Sequence, residues 1–434
     1  MYLVTKELCG FFQLLLGAVG EAPELIERRV VADLGIEALD DLGEGLGEGS
    51  RHDQVGVAVL FHRRPIAGAA GFLTGVRLAY LVGTAVTLLW APVAHGPGGN
   101  LFLRTFDRWD SAWFVRIAEH GYSTRQSAAF FPVYPMLVRG LGWVVRNDVL
   151  AGMLIALAAA AGCAVLLHRI ALRRLPADAA RSVVVLFALY PLAFVFTAVY
   201  SDSLFLLFVL LAFDAADRGR ALLAGAAAAF AVDTRLLGLA LVPALVIVFW
   251  PSVRRLAPLL LVPVALGLWM LYLHQHFGDA FAFSHAEEHG WQRYTPSLHA
   301  YWHSARQFEI ALSNLLLHLP SHGTYPDYVV LAIKNVYDLV CLVLAVWLSV
   351  LAWRRLGPAL AVFSWATLAM IVAAPPFYEP LVSLSRFLLA DFPLFLVLAS
   401  LLEGRPRARE LVIAGFAAVG AVAAVGFAHG VGIA

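Results

Sequence analysis

Apolar runs long enough to cross a bilayer recur along this chain from Gly71 almost to its end. They fall at 71–93, 149–168, 181–199, 200–216, 221–250, 256–276, 327–350, 357–375, 386–402 and 410–430. A helical span needs about 20 such residues. With 221–250 divided into two short helices, the runs predict an all-α polytopic membrane protein of about eleven transmembrane helices, because only helices and closed barrels satisfy their backbone in lipid. Composition agrees. Of the 434 residues 61% are hydrophobic and 14% charged, with a mean hydropathy of +0.78, whereas soluble domains carry about 25% charged residues. A net charge of +1 leaves no electrostatic footprint for nucleic acid. Cys9, Cys163 and Cys341 are scattered, the last two inside apolar runs, so neither a disulfide framework nor a metal cluster is expected.

The arginines predict the orientation, since short cytoplasmic loops collect positive charge. Arg63/Arg64, Arg169/Arg173/Arg174, Arg218/Arg220, Arg254/Arg255, Arg354/Arg355 and Arg405/Arg407/Arg409 share one side if the N-terminus is inside and 221–250 is a hairpin. A single long helix there would put Arg254/Arg255 and Arg354/Arg355 on the wrong side. This predicts a multi-pass cell-membrane protein with a cytoplasmic N-terminus. Residues 1–65, with the acidic, glycine-punctuated stretch GIEALDDLGEGLGEGS, have neither a spanning run nor a signal-peptide layout. They are expected to form a poorly ordered cytoplasmic extension, leaving 66–434 as the membrane domain with extracytoplasmic loops at 94–148 and 277–325.

The same parity places five polar elements on the extracytoplasmic face: the Asp107–Pro135 loop, Tyr200-Ser201-Asp202-Ser203, Asp233-Thr234-Arg235, the 277–325 loop, and Pro375 to Arg386. Taken singly, an Asp at a tight turn is often a helix cap and an Arg at a helix end often snorkels to headgroups. Their convergence on one face is what suggests an active site. The segment SAWFVRIAEH reads as an interfacial helix with Trp113, Ile117 and Ala118 toward lipid and Arg116 and Glu119 toward water, holding Asp110 at bilayer-surface height. Asp214 and Asp217, near the other end of a span, are expected to be merely solvated.

WDSAWFVRIAEHGY followed by AFFPVYP closely resembles the first luminal loop of the PIG-V family, polytopic enzymes that add the second mannose in GPI-anchor synthesis, together with their bacterial relatives. TAVYSDSLFLLF, VDTRLLGLAL and SLSRFLLADFPLF are similar to further segments of that family, and HFGDAFAFSHAEEHGW to a loop that in bacterial members begins Gly-Asp-Pro, with Ala280 standing for the proline. The resemblance runs from Arg77 to about Arg386. It implies a GT-C-like helical bundle and an inverting mannosyltransferase that uses a polyprenyl-phosphate-mannose donor. The acceptor is left open among glycolipids, polysaccharides and proteins.

The resemblance also implies roles. Asp110, in the RWD signature, is the expected base, with Asp107 a secondary candidate. Arg386 is expected to bind the donor phosphate, with Arg235, Asp202, Trp291 and Arg293 around the donor. Trp109, Trp113, Tyr122, Phe130, Phe131 and Tyr134 are expected to shape the prenyl or sugar pocket, although interfacial aromatics commonly form a belt. No cofactor beyond the lipid-linked sugar is implied, and a divalent metal is not indicated.

The residue types suit the chemistry. An alcohol is a poor nucleophile, and a carboxylate near it can accept its proton as attack proceeds. A departing lipid phosphate gathers negative charge, which arginine meets with a permanently charged bidentate fork. Two other classes compete. His285-Ala286-Glu287-Glu288-His289 fits the H-x-x-E-H core of inverted zincins, with His299 and His303 repeating the spacing, but no clear downstream glutamate ligand follows. A transporter or flippase of lipid-linked glycans would place charge near the midplane in repeated halves, and no internal repeat is seen.

Overall fold

The computed structural model describes the backbone of residues 51–90, 101–293, 326–373 and 381–431, together with positions 302, 306 and 309. Among these residues the chain is helical throughout, without a strand. Within the described residues each apolar run is mainly helical, but the lengths differ from expectation. Five helices are long and apolar enough to cross a membrane: Gly68–Thr87, Asp148–Leu172, Val253–Phe277, Ile333–Arg355 and Pro406–Ala428. A sixth is obtained if the bent pair Leu384–Ala390 and Phe392–Leu402 is one span. Four further apolar helices, including Ala221–Val232 and Pro358–Ala373, have 10–17 residues. Among the described residues five or six such spans are found, and the expected count of about eleven is not confirmed. The chain is a multi-pass membrane protein whose bundle is completed by short and broken helices.

The breaks have local causes. The run 181–199 ends its helix at Leu189, where Tyr190-Pro191 interrupts it, and continues as the 3-10 turn Ala193–Thr197. Proline lacks an amide donor and clashes with the preceding turn. The carbonyls released there are met by Arg77, 1% exposed, which donates to Ala193 at 2.6 Å and Ala188 at 3.2 Å and lies over the rings of Tyr80 and Phe196. In hydrocarbon an unmet carbonyl would be costly.

Helix Asp148–Leu172 packs against helices Val133–Val145 and Asp202–Asp217, and the latter packs on Ala221–Val232. Its buried face is rich in small residues, among them Ala156, Ala159, Ala160, Cys163 and Ala164, which let helices approach closely. At one end the Arg173 side chain lies 2.9 Å from Asp214 and 3.0 Å from Asp217, Arg174 2.7 Å from Asp217, and Arg218 3.2 Å from Asp214. Asp214 is only 7% exposed. The expectation that these acids are merely solvated is thus corrected: they tie the C-terminal ends of two parallel helices together. Asp202, at the N-terminus of the same helix, consequently lies at the opposite end, about 20 Å away at 1.5 Å per residue.

Helix Arg51–Trp90 runs across the bound drawn at residue 65; residues 1–50, the 94–100 stretch, His299, His303 and Pro375 lie outside the described residues. One other expectation changes. The Asp110–His120 helix does not turn its apolar face to lipid. Ile117 is 0% and Ala118 2% exposed, packed in the protein core, while Arg116 and Glu119 are exposed. The face is too well covered by neighbouring aromatics to float in an interface.

Candidate active site

Two carboxylates begin helices. Asp110 is the first residue of Asp110–His120 and Asp202 the first of Asp202–Asp217, places where the helix dipole favours negative charge. They meet at Arg386, carried by the four-residue helix Leu384–Phe387. Its Nη2 lies 2.6 Å from Asp110 Oδ2 and its Nε 3.2 Å from Asp202 Oδ1. Arg235 Nη1 reaches the same Asp202 oxygen at 2.6 Å. Four segments remote in sequence are thereby joined through four charged groups. The ion pairs of Arg386 and Arg235 go to Asp110 and Asp202, not to Asp107, which lies in the bend before the helix.

Phe387 is the hub of the cationic side. The guanidinium carbons of Arg235, Arg386 and Arg293 lie 4.9, 5.2 and 5.6 Å from its ring centre, and Arg386 also lies 4.7 Å from the ring of Tyr200. Aromatic faces attract such cations, but three like charges together also need carboxylates. Glu287 supplies the third, its Oε2 3.7 Å from Arg293 Nε. Crowding by protein atoms pushes the Glu287 carboxyl above its ordinary range, with Arg293 opposing. Its side chain is nonetheless 42% accessible, which places it on the wall of an opening, packed on one side and wet on the other. Arg386 is 4% exposed, Arg235 and Arg293 18% each, and Asp110 24%. Access to the buried guanidinium thus runs past Asp110 and the two outer arginines.

The backbone is strained on both sides of the central pair. Trp109, immediately before Asp110, has φ 57 and ψ −122, and Ser383, which opens the Arg386 helix, has φ 60. Left-handed backbone in non-glycine residues is uncommon and clusters where surrounding structure imposes it. Gly238 of the DTRLLG segment answers a tight approach instead: a Cβ there would lie 2.6 Å from the Val232 amide nitrogen. Only glycine lets the chain fold back so closely after Arg235.

The loop bearing Asp110 is docked on the segment bearing Glu287. Arg125 donates to the Phe277 carbonyl at 3.0 Å, and helix Ala282–Trp291 packs on the turn Arg125–Ala129. Trp113 and Phe130 stack at 5.7 Å, with Trp291 6.0 and 5.5 Å from them. Phe131 packs between Trp269 and Phe283. Tyr122 is buried, its hydroxyl on the Phe130 carbonyl at 2.8 Å, and Tyr134 is fully buried with its hydroxyl on Gly152 at 3.0 Å. Tyr122 and Tyr134 therefore brace the loop from inside, while Trp109 is 49% exposed. Asp233 lies in the turn before Arg235, and its partial burial pushes the carboxyl up to about 6.

Asp110, Asp202, Arg235, Arg293 and Arg386 come together; Tyr200 was noted only as part of a polar segment, and Phe387 and Glu287 were given no place in the site. Tyr200 and Phe387 adjoin charged motif residues, which was the available signal. Glu287 was hidden inside the zincin-like pattern. In that pattern His285 Nδ1 lies 2.7 Å from Asp279 Oδ2 and His289 Nδ1 2.7 Å from the His285 carbonyl. Among the described residues no group of three or more His, Cys, Asp or Glu is placed to hold a metal ion.

No curated protein and no solved structure matches the chain. A family model described as Mannosyltransferase (PIG-V) matches residues 99–250. That segment contains Asp110, Asp202 and Arg235 and stops short of Glu287, Arg293 and Arg386. The match spans 152 of the 434 residues and supports a mannosyltransferase of the PIG-V kind, a hexosyltransferase, in this multi-pass membrane chain.

Proposed function

We propose that the enzyme transfers mannose from a polyprenyl-phosphate-mannose donor to a glycolipid, polysaccharide or protein acceptor at the extracytoplasmic face. The observation that carries this reading is the Arg386–Asp110 contact, which sets a phosphate-type cation and a proton-accepting carboxylate 2.6 Å apart. An inverting displacement puts the leaving phosphate and the incoming hydroxyl on opposite faces of the anomeric carbon, so the contact opens as the donor enters and the two groups then flank the sugar. Arg386 takes the phosphate, and Asp110 takes the proton of the incoming hydroxyl. A single displacement of this kind inverts the anomeric centre.

The burial pattern suggests an order of events. The donor phosphate first meets Arg235 and Arg293, the more exposed cations, and then competes with Asp110 for Arg386. As the phosphate displaces it, Asp110 is released to accept the acceptor hydroxyl's proton. Charge growing on the leaving phosphate is spread over preorganised guanidinium groups in a site largely closed to water. Sidedness is supported by the arginine-rich cluster at the far end of the Asp202 helix, since such clusters favour the cytoplasm.

The test supplies purified protein in lipid with labelled polyprenyl-phosphate-mannose and a membrane extract, then identifies the labelled product. Mannosylated product is expected, and it is to disappear in Asp110→Asn. Absence of transfer from this donor, alongside transfer from a nucleotide-linked mannose, would overturn the donor assignment.

A further inference from the structure

Arg386 rides on a helix too short to hold a geometry by itself. Leu384–Phe387 is a single turn, opened by Ser383 at φ 60 and followed by an 83° bend into Phe392–Leu402. The terminal turns of a helix leave amides and carbonyls without intrahelical partners, and here the whole element is terminal. At Ser385, the residue before Arg386, both backbone groups are taken by side chains from elsewhere. The amide donates to Asp338 Oδ1 at 3.1 Å, and the carbonyl accepts from the Tyr190 hydroxyl at 2.8 Å. Asp338 is 0% exposed, within the spanning helix Pro326–Arg355, and Tyr190 is 7% exposed at the break after Ala177–Leu189. Tyr190 is itself fixed edge-on by Phe395 at 5.4 Å and Phe416 at 5.5 Å.

A carboxylate inside a spanning helix is costly to keep, and such residues face the bundle interior where they do something. An apolar residue at 338 would suit the span better, except that the Ser385 amide would then point into protein with no acceptor. We propose that Asp338 and Tyr190 are positioning residues that grip the Ser385 peptide from two sides and thereby set where Arg386 meets Asp110 and the donor phosphate. The proposal rests on the assignment of Arg386 to the donor phosphate. Its physical consequence is on precision: misplacement of a binding group by about 1 Å can cost on the order of a hundredfold in rate.

The test compares Arg386→Lys, Asp338→Ala, Asp338→Asn and Tyr190→Phe, purified in lipid, for donor KM, kcat and thermal midpoint with labelled polyprenyl-phosphate-mannose. Arg386→Lys, which loses the bidentate fork, is expected to raise donor KM. Asp338→Ala and Tyr190→Phe are expected to raise it as well, by about tenfold for one lost buried hydrogen bond, with a smaller change in kcat at saturating donor. Asp338→Asn keeps an oxygen facing the Ser385 amide and is expected to recover most of the loss. If Asp338→Ala and Tyr190→Phe lower the thermal midpoint but leave donor KM unchanged, the two residues are only caps and the proposal is overturned, while the reading of Arg386 stands. Should Arg386→Lys and Arg386→Gln leave donor KM unchanged, the donor-phosphate reading fails and the positioning proposal falls with it. Tyr190→Phe carries the test alone if Asp338→Ala does not fold.

Discussion

Arg386 Nη2 and Asp110 Oδ2 stand 2.6 Å apart although 276 residues separate them in the chain. Arg386 and Asp202 form the buried floor of the cluster, 4% and 6% exposed, while Asp110 and Arg235 lie further out at 24% and 18%. On the proposed reading, a donor phosphate that takes Arg386 releases Asp110 from this ion pair.

Replacing Asp110 by Asn removes the proton-accepting carboxylate while keeping size and hydrogen-bonding capacity. Mannosyl transfer is expected to fall about 10²- to 10⁴-fold, the usual contribution of a general base. Asp107→Asn, outside the ion pairs of Arg386 and Arg235, is expected to cost much less. Rates of labelled mannose transfer by both purified variants check this, and the reverse ranking would move the base to Asp107.

Sidedness can be read with single cysteines. Arg354 is exposed at the end of its helix, and a Cβ at Gly290 meets nothing nearer than Gln126 at 3.9 Å, so both positions accept a thiol. In intact cells a cysteine at Arg354 is expected to be protected from a membrane-impermeant reagent and one at Gly290 to react. Labelling at Arg354 with none at Gly290 would invert the orientation.

The Asp214 network should be a stability element rather than a catalytic one. Asp214→Ala removes the largely buried anion shared by Arg169, Arg173 and Arg218, while Arg173 keeps Asp217. Because these arginines are partly exposed, a loss of about 1 kcal/mol is expected. A lowered thermal midpoint with donor KM unchanged in the folded fraction is the expected result; a raised donor KM at unchanged stability would contradict it.

Asp233 predicts a pH signature. Its folded carboxyl titrates near 6 against an ordinary value of 3.8, so the folded state binds the proton more tightly than the unfolded one. Stability from this group is present at acid pH and is lost as pH rises from about 4 to about 6. Asp233→Asn is therefore expected to raise the thermal midpoint at pH 7.5 and to change it little at pH 4. An equal effect at both pH values would show that the carboxyl's ionisation is not the cause.

How much was legible in sequence follows from which physical signals are local. Hydrocarbon runs determine helices, since lipid leaves the backbone no other partner, and within the described residues each apolar run is mainly helical. Span length was misjudged where Pro191 breaks a run and where Phe387–Asp391 bends one, because continuous hydropathy does not register a lost amide donor or a turn of the axis. Burial was also misjudged: the Ile117 face looks interfacial by periodicity, which cannot tell lipid from the Phe130, Tyr134 and Trp291 side chains that bring the loop into the protein.

Composition establishes the membrane class, and motifs of contiguous spacing single out the candidate charged residues. Which acid meets which arginine was decided only by tertiary structure. The contacts of Arg386 with Asp110, of Arg235 with Asp202 and of Ser385 with Asp338 and Tyr190 join helices far apart in sequence, and no local periodicity encodes such distances. Glu287 shows the same limit from the other side. Its sequence neighbours suggested a histidine site, while the folded chain turns it toward Arg293, where burial and charge give it a different environment.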